Sequence, residues 1–300
     1  MAFGFTYTLP TITGSHSGFS VILRAFDFPA TAIDGSANAI DNGGGNLRAY
    51  LDSTKATQLP LDVVTFVSGV SPDVEVHVNL SVFTGATIYL EADDTETTQP
   101  ISSATYGRDA VWVGFEAVWH LGDSVDSTGN GYDGVLSGSL PTPVSTNLGL
   151  GQDCNSSGYM TISQSFGSLF SGASDFEVLC WTTLKNNSTR QTLFHPRQDH
   201  DIGLYYRGDL GDGYTFNFYD GSNNSVNQTS NPSTAVSRLV RGVFDSSGNI
   251  SIFVDGVSQG TPIASGTPNT TSNTNAIGTQ YTTSPLRILS GIVDEFRIRL

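Results

Sequence analysis

Hydrophobic and polar residues alternate with a period of two along most of the chain, and helical periodicity is nearly absent. In the segment Val74–Val82, valine and leucine take every second position, and polar residues such as Glu75 and His77 take the positions between them. This pattern predicts a half-buried strand with one wet face. Similar strands are predicted at Phe19–Ala25, Asp62–Val67 and Thr87–Glu91.

A second set of strands follows a polar segment, Asp93–Ser103, which is typical of a loop or a domain edge. Phe176–Leu184 is apolar on both faces, as a central strand of a sandwich is, and Asp255-Gly256 predicts a type I′ hairpin. We therefore predict an all-β protein, with a small N-terminal β-sandwich over residues 1–105 and a jelly-roll β-sandwich over residues 106–300. Further strands are predicted at Arg238–Phe244, Ile250–Val254 and Gly291–Leu300.

The charge of the chain excludes some classes of partner. Its 28 acidic residues exceed its 13 basic residues, and the formal net charge is −15. Because no basic stripe is present, we expect no binding to nucleic acid, and no apolar run is long enough to insert into a membrane. The composition is typical of an extracellular protein, yet the N-terminal sequence MAFGFTYTLP does not resemble a signal peptide. We therefore expect either that a preceding segment has been removed or that the protein leaves its cell without the secretory route, as on release by lysis inside a virion. For Cys154 and Cys180, free buried thiols are favoured over a disulfide.

Five segments of the second region resemble laminin-G-like, concanavalin A-like jelly-roll domains in their order. The segments are AVWHLGDSVDSTGNGYDG (Ala117–Gly134), DFEVLCWTTL (Asp175–Leu184), RLVRGVFDSSGNISIFVDGVSQG (Arg238–Gly260), NAIG (Asn275–Gly278) and GIVDEFRI (Gly291–Ile298). The resemblance covers about 190 residues. It implies a concanavalin A-like fold for residues 106–300.

The first region resembles the DUF2341 domain, a small β module found upstream of such jelly rolls. The segments that carry this resemblance are NLRAYLDSTKATQLPLDV (Asn46–Val63) and GATIYLEA (Gly85–Ala92). The pair implies a non-enzymatic binding protein of a bacterial surface or of a phage virion. The missing signal peptide favours the virion surface, where the protein would be a tail adhesin or a capsid decoration protein. Its partners would be a host glycan or neighbouring virion subunits, and a homo-oligomer such as a trimer is expected. The alternative is a secreted or cell-surface carbohydrate-binding module of a bacterium.

One short loop has the composition of a cation site. Asp126, Asn130 and Asp133 offer side-chain oxygens within eight residues, and Ca²⁺ takes six to eight oxygen ligands in irregular geometry. The resemblance implies that Asp294, in the last strand, joins them around a structural Ca²⁺. The alternative is a turn held by the Asx-type hydrogen bonds that Asp and Asn make readily.

Aromatic residues and one loop are candidates for ligand binding. Tyr205 and Tyr219 belong to an aromatic-rich hairpin, and exposed aromatic rings are surfaces on which sugars stack. Phe216 and Phe218 are predicted to share the core face of the same hairpin. His200 lies in FHPRQDHD, which the family parallel places in a loop that could contact a ligand, hold a metal or be plainly polar.

A catalytic alternative rests on Glu91 and Glu96. These residues spell E-x-D-x-x-E with Asp93, an arrangement that retaining glucanases with the jelly-roll fold use. The motif lies outside the jelly-roll region and runs into a loop, so we predict no enzymatic activity. A hydrolase would require the two glutamates to face each other across a cleft.

Overall fold

The computed structural model describes residues 3–9, 19–37, 39–80, 87–139, 142–146, 148–162, 170, 173–195, 202–219, 222–264, 266, 275–280 and 287–300. The chain forms two compact units. The first contains residues 1–113 with 127–129, and the second contains residues 114–126 with 130–300. This division falls eight residues later than the edge expected from the polar segment.

The first unit is a small sandwich of two antiparallel sheets. One sheet has the strand order β1-β7-β3-β4 and the other has the order β2-β6-β5, with a shared apolar core that the valines of β6 and the leucines of β3 and β7 help to fill. Its strands are β1 (Phe3–Thr8), β2 (Phe19–Arg24), β3 (Leu47–Tyr50), β4 (Gln58–Leu59), β5 (Leu61–Val67), β6 (Asp73–Leu80) and β7 (Thr87–Ala92). Its short helices are a 3₁₀ turn (Ala25–Asp27), α1 (Ala30–Ile33) and α2 (Arg108–Val111).

The predicted wet face of β6 is buried, so that part of the prediction is wrong. Glu75 and His77 are fully inaccessible to solvent, and the Glu75 carboxylate accepts a bond from the His77 ring at 3.0 Å. Residues after the polar segment cover this face: the His77 ring lies 5.0 Å from that of Trp112, and the Asn79 amide donates to two carbonyls of α2. Trp112 also donates to Asp62 at 2.7 Å, which fixes residues 108–112 on the first unit.

The second unit contains two larger antiparallel sheets. One has the order β10-β11-β22-β13-β18-β19-β20, with β8 also paired to β22, and the other has the order β17-β16-β15-β14-β21-β12-β9. The strands are β8 (Ala117–Trp119), β9 (Gly134–Gly138), β10 (Thr142–Ser145), β11 (Leu150–Asp153), β12 (Gly158–Ile162), β13 (Phe176–Leu184), β14 (Arg190–His195), β15 (Ile202–Arg207), β16 (Tyr214–Tyr219), β17 (Asn223–Asn227), β18 (Ser237–Phe244), β19 (Asn249–Val254), β20 (Val257–Ala264), β21 (Asn275–Ile277) and β22 (Gly291–Arg299). The all-β prediction is confirmed.

The core of the second unit lies between its two sheets, where aromatic side chains from both sheets meet. Phe216 and Phe218 are fully buried in it, as predicted. Phe218 stacks on Phe244 of the opposite sheet, with ring centroids 5.0 Å apart. Asp255 and Gly256 both have positive φ angles, of 50° and 78°, which confirms the predicted hairpin between β19 and β20.

Both cysteines are buried free thiols. Burial raises the pKa of Cys154 to about 12, and it also raises the pKa of Cys180, because a thiolate is poorly solvated in the core. These thiols therefore act as small hydrophobic side chains rather than as nucleophiles.

Among the helices of the described ranges, none combines the length and apolar character needed to cross a bilayer.

Candidate functional site

The outer face of the seven-stranded sheet carries a row of side chains that crosses four strands. Thr192 of β14 pairs with Tyr205 of β15, Tyr205 pairs with Thr215 of β16, and Thr215 pairs with Asn227 of β17. Directly paired residues of antiparallel strands share a face. The neighbours of these residues along each strand, such as Tyr206, fill the core, so the row points away from it. We call Thr192, Tyr205, Thr215 and Asn227 the outer row.

The Tyr205 ring lies flat along its own strand, over Gly203. A Cβ atom at Gly203 would come within 2.1 Å of this ring, so only glycine leaves room for it. The Arg190 guanidinium stands over the ring at 4.6 Å from its centroid, and the His195 ring lies 5.6 Å away. Tyr205 is consequently only 2% exposed. Its role in this geometry is to support Arg190 rather than to offer an open ring face for stacking.

Several polar atoms of this face are buried and have no hydrogen-bond partner among the residues that the structure describes. They are the hydroxyls of Thr192 and Thr215, the amide oxygen of Asn227 and Nε of Arg190. The Asn227 amide nitrogen donates to Asp212 at 3.3 Å. Buried polar groups in native proteins are normally paired with protein or ordered water. Because Thr192 and Thr215 are at most 2% exposed, enclosed water is the natural complement of their hydroxyls.

Three arginines surround the outer row, and we call Arg190, Arg207 and Arg287 the arginine group. Arg190 and Arg207 are directly paired across β14 and β15, and the Arg287 carbonyl accepts a bond from the Thr192 amide at 2.9 Å. Burial lowers the pKa of Arg190, and the positive charges of Arg287 and Arg207 also lower it, whereas Tyr205 and Asp209 raise it. The group thus concentrates positive charge in a chain of net charge −15.

The structure describes two of the three predicted ligand residues. Tyr205 lies at the centre of the outer row, and Tyr219 is the last residue of β16 in the same sheet. His200 lies outside the described residues. A ligand contact by any of the three stays a prediction.

Sequence reasoning missed the arginine group. The sequence offered one signal, because basic residues are scarce in this chain. Arg190, at the start of β14, and Arg207, at the end of the aromatic strand β15, stand out for that reason. Arg287, however, is about 80 residues away along the chain, and no spacing links it to them.

The loop with Asp126 is held by its own backbone. The two carboxylate oxygens of Asp126 accept bonds from the amides of Val118 and Tyr132, each at 3.0 Å, and Asp133 accepts a bond from the Asp126 amide at 2.9 Å. The Asn130 amide donates to the carbonyl of Glu116. The carboxylate bonds join residues six to eight positions apart, so they close the loop without the two-residue bond of an Asx turn.

Asp294 has partners outside that loop. It lies in β22, opposite Trp181 of β13, and its carboxylate accepts a bond from the Thr146 hydroxyl. Among the described residues, the carboxylates of Asp126, Asp133 and Asp294 do not converge within 4.8 Å. The donor set therefore fits a hydrogen-bonded turn better than a calcium site, and the Ca²⁺ stays a prediction.

The two glutamates of the catalytic alternative are each bound to a cation. Glu91 is buried in β7 and forms a salt bridge with Lys55, whereas Glu96 is half-exposed in the following loop and lies 3.5 Å from Arg48. A retaining glycosidase needs one carboxylic acid that stays protonated beside a free carboxylate. Two carboxylates held by separate cations do not provide that pair.

Residues 154–299 match the family Laminin_G_3, the concanavalin A-like lectin/glucanases superfamily. No curated protein sequence matches the chain significantly. Domain 4 of AbnA, a GH43 extracellular arabinanase from Geobacillus stearothermophilus solved with arabinotriose, is similar in structure. It is 19% identical, with a TM-score of 0.51, over 62% of this chain and 91% of that domain.

A second similar structure is the binding domain of botulinum neurotoxin serotype D/C VPI 5993, which is 12% identical with a TM-score of 0.48. The match covers 62% of this chain and 48% of that one. The family match and the fold shared with the arabinanase domain identify the second unit as a concanavalin A-like jelly roll.

Proposed function

We propose that this protein is a non-enzymatic glycan-binding protein and that the outer sheet face around Arg190 and Tyr205 in the second unit is its binding surface. The observation that carries the proposal is the Arg190 guanidinium above the Tyr205 ring, with Arg207 directly paired to Arg190 across the two strands. Guanidinium groups only donate hydrogen bonds, and sugar hydroxyls can accept them. The arabinanase domain solved with arabinotriose supports the proposal, since it has the same fold, but a fold alone does not fix a ligand.

Truncating Tyr205 tests this surface. In glycan-array binding with the full chain, Tyr205→Ala is expected to weaken binding about tenfold or more, because Arg190 loses the ring that positions it. Tyr205→Phe keeps the ring and should bind like the unchanged protein. Tyr106→Ala, at an exposed tyrosine of the first unit, is the control for the loss of a tyrosine outside this face. Failure to bind any glycan, or binding that Tyr205→Ala leaves intact, would refute the proposal.

The finer proposal is that the protein lies on the surface of a phage virion, as a tail adhesin or a capsid decoration protein and as a homo-oligomer. The resemblance of the first region to DUF2341 and the acidic, lysine-poor composition support it. A gold-labelled antibody is expected to mark the capsid or the tail of particles from the source. Unlabelled particles, with the protein free or on cell envelopes, would favour the alternative of a bacterial carbohydrate-binding module.

A further inference from the structure

The outer face of the four-stranded sheet in the first unit carries a row of partly or fully exposed side chains. Tyr89 of β7 pairs with Thr6 of β1 on one side and with Tyr50 of β3 on the other. Tyr50 pairs in turn with Gln58 of β4. Directly paired residues share a face, and neighbours along the strands, such as Leu90, fill the core, so the row points away from the core. We call Thr6, Tyr89, Tyr50 and Gln58 the tyrosine row.

The Tyr89 ring lies along the sheet surface rather than standing away from it. Its hydroxyl end rests over Gly4 of β1, where a Cβ atom would overlap the ring. Tyr89 is still partly exposed, whereas the Tyr205 ring of the second unit is covered by Arg190. A ring that rests on the backbone by one face and meets solvent with the other is a surface on which a sugar ring stacks.

Four charged residues on or beside this face form two salt bridges. Lys55, in the loop between β3 and β4, is bound to the buried Glu91 carboxylate, and Arg48 lies 3.5 Å from Glu96. Burial raises the pKa of Tyr50, and the charge of Glu91 also raises it, so the phenol stays neutral at physiological pH. These charges therefore cancel within the protein, which favours a neutral ligand over an anion or a cation.

The rest of the outer face is polar, and this distinguishes it from a protein interface. Protein interfaces are built around an apolar core. None of the described strand residues on this face is aliphatic: they are Gly4, Thr6, Thr8, Arg48, Tyr50, Gln58, Thr87, Tyr89 and Glu91. At the ends of the tyrosine row, the Thr6 hydroxyl and the Gln58 amide can both donate and accept hydrogen bonds, as sugar hydroxyls do.

We propose that the tyrosine row is a second glycan-binding surface, which stacks neutral sugar rings on Tyr89 and Tyr50 and binds their hydroxyls through Thr6 and Gln58. Neighbouring strands lie about 4.8 Å apart, so the row spans roughly 14 Å, which is enough for a short oligosaccharide. This inference goes beyond the proposed function, whose surface lies in the second unit, and does not depend on it.

The test is calorimetric titration of the full chain with neutral gluco-, xylo-, arabino- and manno-oligosaccharides. In the Tyr205→Ala variant, which disables the surface of the second unit, binding of at least one of these sugars is expected to remain. Adding Tyr89→Ala or Tyr50→Ala should weaken the remaining binding about tenfold, because a stacking ring is lost. Adding Tyr89→Phe, which keeps the ring, should weaken it less. Tyr106→Ala, at an exposed tyrosine outside this sheet, is the control and should leave it unchanged.

A second variant tests the position of the ring without removing it. Gly4→Ala keeps both tyrosines but displaces Tyr89 from the sheet surface, so it is expected to weaken binding. Thr8→Ala, on the same face of the same strand, is the matched control and should bind like the unchanged protein. Gly4 and Thr8 are both exposed, so both variants are expected to fold, and urea denaturation checks this. Equal binding by the two variants would contradict the stacking geometry.

The outcomes separate this inference from the proposed function. Loss of all binding in the Tyr205→Ala variant would overturn the second surface and leave the proposed function standing. Binding that Tyr205→Ala leaves intact and Tyr89→Ala abolishes would support the second surface and overturn the proposed function. Failure to bind any of the oligosaccharides would refute both. A change in sedimentation of the Tyr89→Ala variant, with its sugar binding unchanged, would overturn the inference in favour of an interface between copies of the chain.

Discussion

Replacing Glu295 with alanine is expected to destabilise the second unit by about 3–5 kcal/mol, which is the usual effect of removing one partner from a buried charged pair. Glu295 is fully buried in β22 and its carboxylate contacts the His120 ring. The other carboxylate oxygen accepts two bonds from Arg297, at 2.9 and 2.6 Å. The Glu295→Ala variant therefore leaves the mostly buried guanidinium of Arg297 and the buried ring of His120 without this carboxylate.

The backbone conformation at this position does not change the expected effect. Glu295 has a φ of 50°, in the left-handed region, where glutamate and alanine carry the same Cβ penalty, so the change in stability reports the lost side-chain contacts. Urea denaturation of the full chain, followed by tryptophan fluorescence, measures the change through Trp119 and Trp181 of the second unit. Glu177→Gln is the control, because Glu177 is partly exposed on the adjacent strand and lies 3.7 Å from Arg241. Its loss should change the free energy of unfolding by less than about 1 kcal/mol. Equal losses of stability in the Glu295 and Glu177 variants would contradict a special contribution from the contacts of Glu295 with His120 and Arg297.

Replacing Gly242 with alanine is expected to lower the free energy of unfolding by about 1–3 kcal/mol, through overpacking of the core between the two sheets. Gly242 lies in β18, between Val178 and Ile252 of the neighbouring strands. A Cβ atom at this position would come within 2.3 Å of the Phe216 ring from the opposite sheet. The ring is itself enclosed by core residues, so it cannot move aside freely.

A variant of Phe216, whose ring the new methyl group would meet, provides the control. Phe216→Leu alone should be destabilising, because it leaves a cavity. Combined with Gly242→Ala, however, it makes room for the new methyl group, so the double variant should lose less stability than the sum of the single variants. Urea denaturation of the four proteins gives this difference directly. Additive losses would show that the two positions do not share the same space.

The strands of this protein were predictable because alternation along the chain records which side of a sheet each residue occupies. β13 was predicted with the bounds that the structure shows, and Phe216 and Phe218 were placed correctly on the core face of β16. The turn at Asp255-Gly256 was equally local, because the positive φ angles of a type I′ turn depend on the two residues themselves.

Burial of the second face of a strand was not predictable in the same way. The alternation in β6 marked Glu75 and His77 correctly as opposite to the apolar core. It could not show that Trp112 and α2, more than 30 residues later, fold back over that face. The pattern of a strand encodes its two sides, but what covers each side depends on segments elsewhere in the chain.

The sequence by itself therefore determined the all-β class, the positions of the main strands and the residues of the core. The tertiary structure alone decided which polar residues meet. Arg190, Arg207 and Arg287 come together through strand pairing and a distant loop, and His120 reaches Glu295 across 175 residues of chain. The physical reason is that periodicity acts over a few residues, whereas strand register and sheet packing join segments with no local relation.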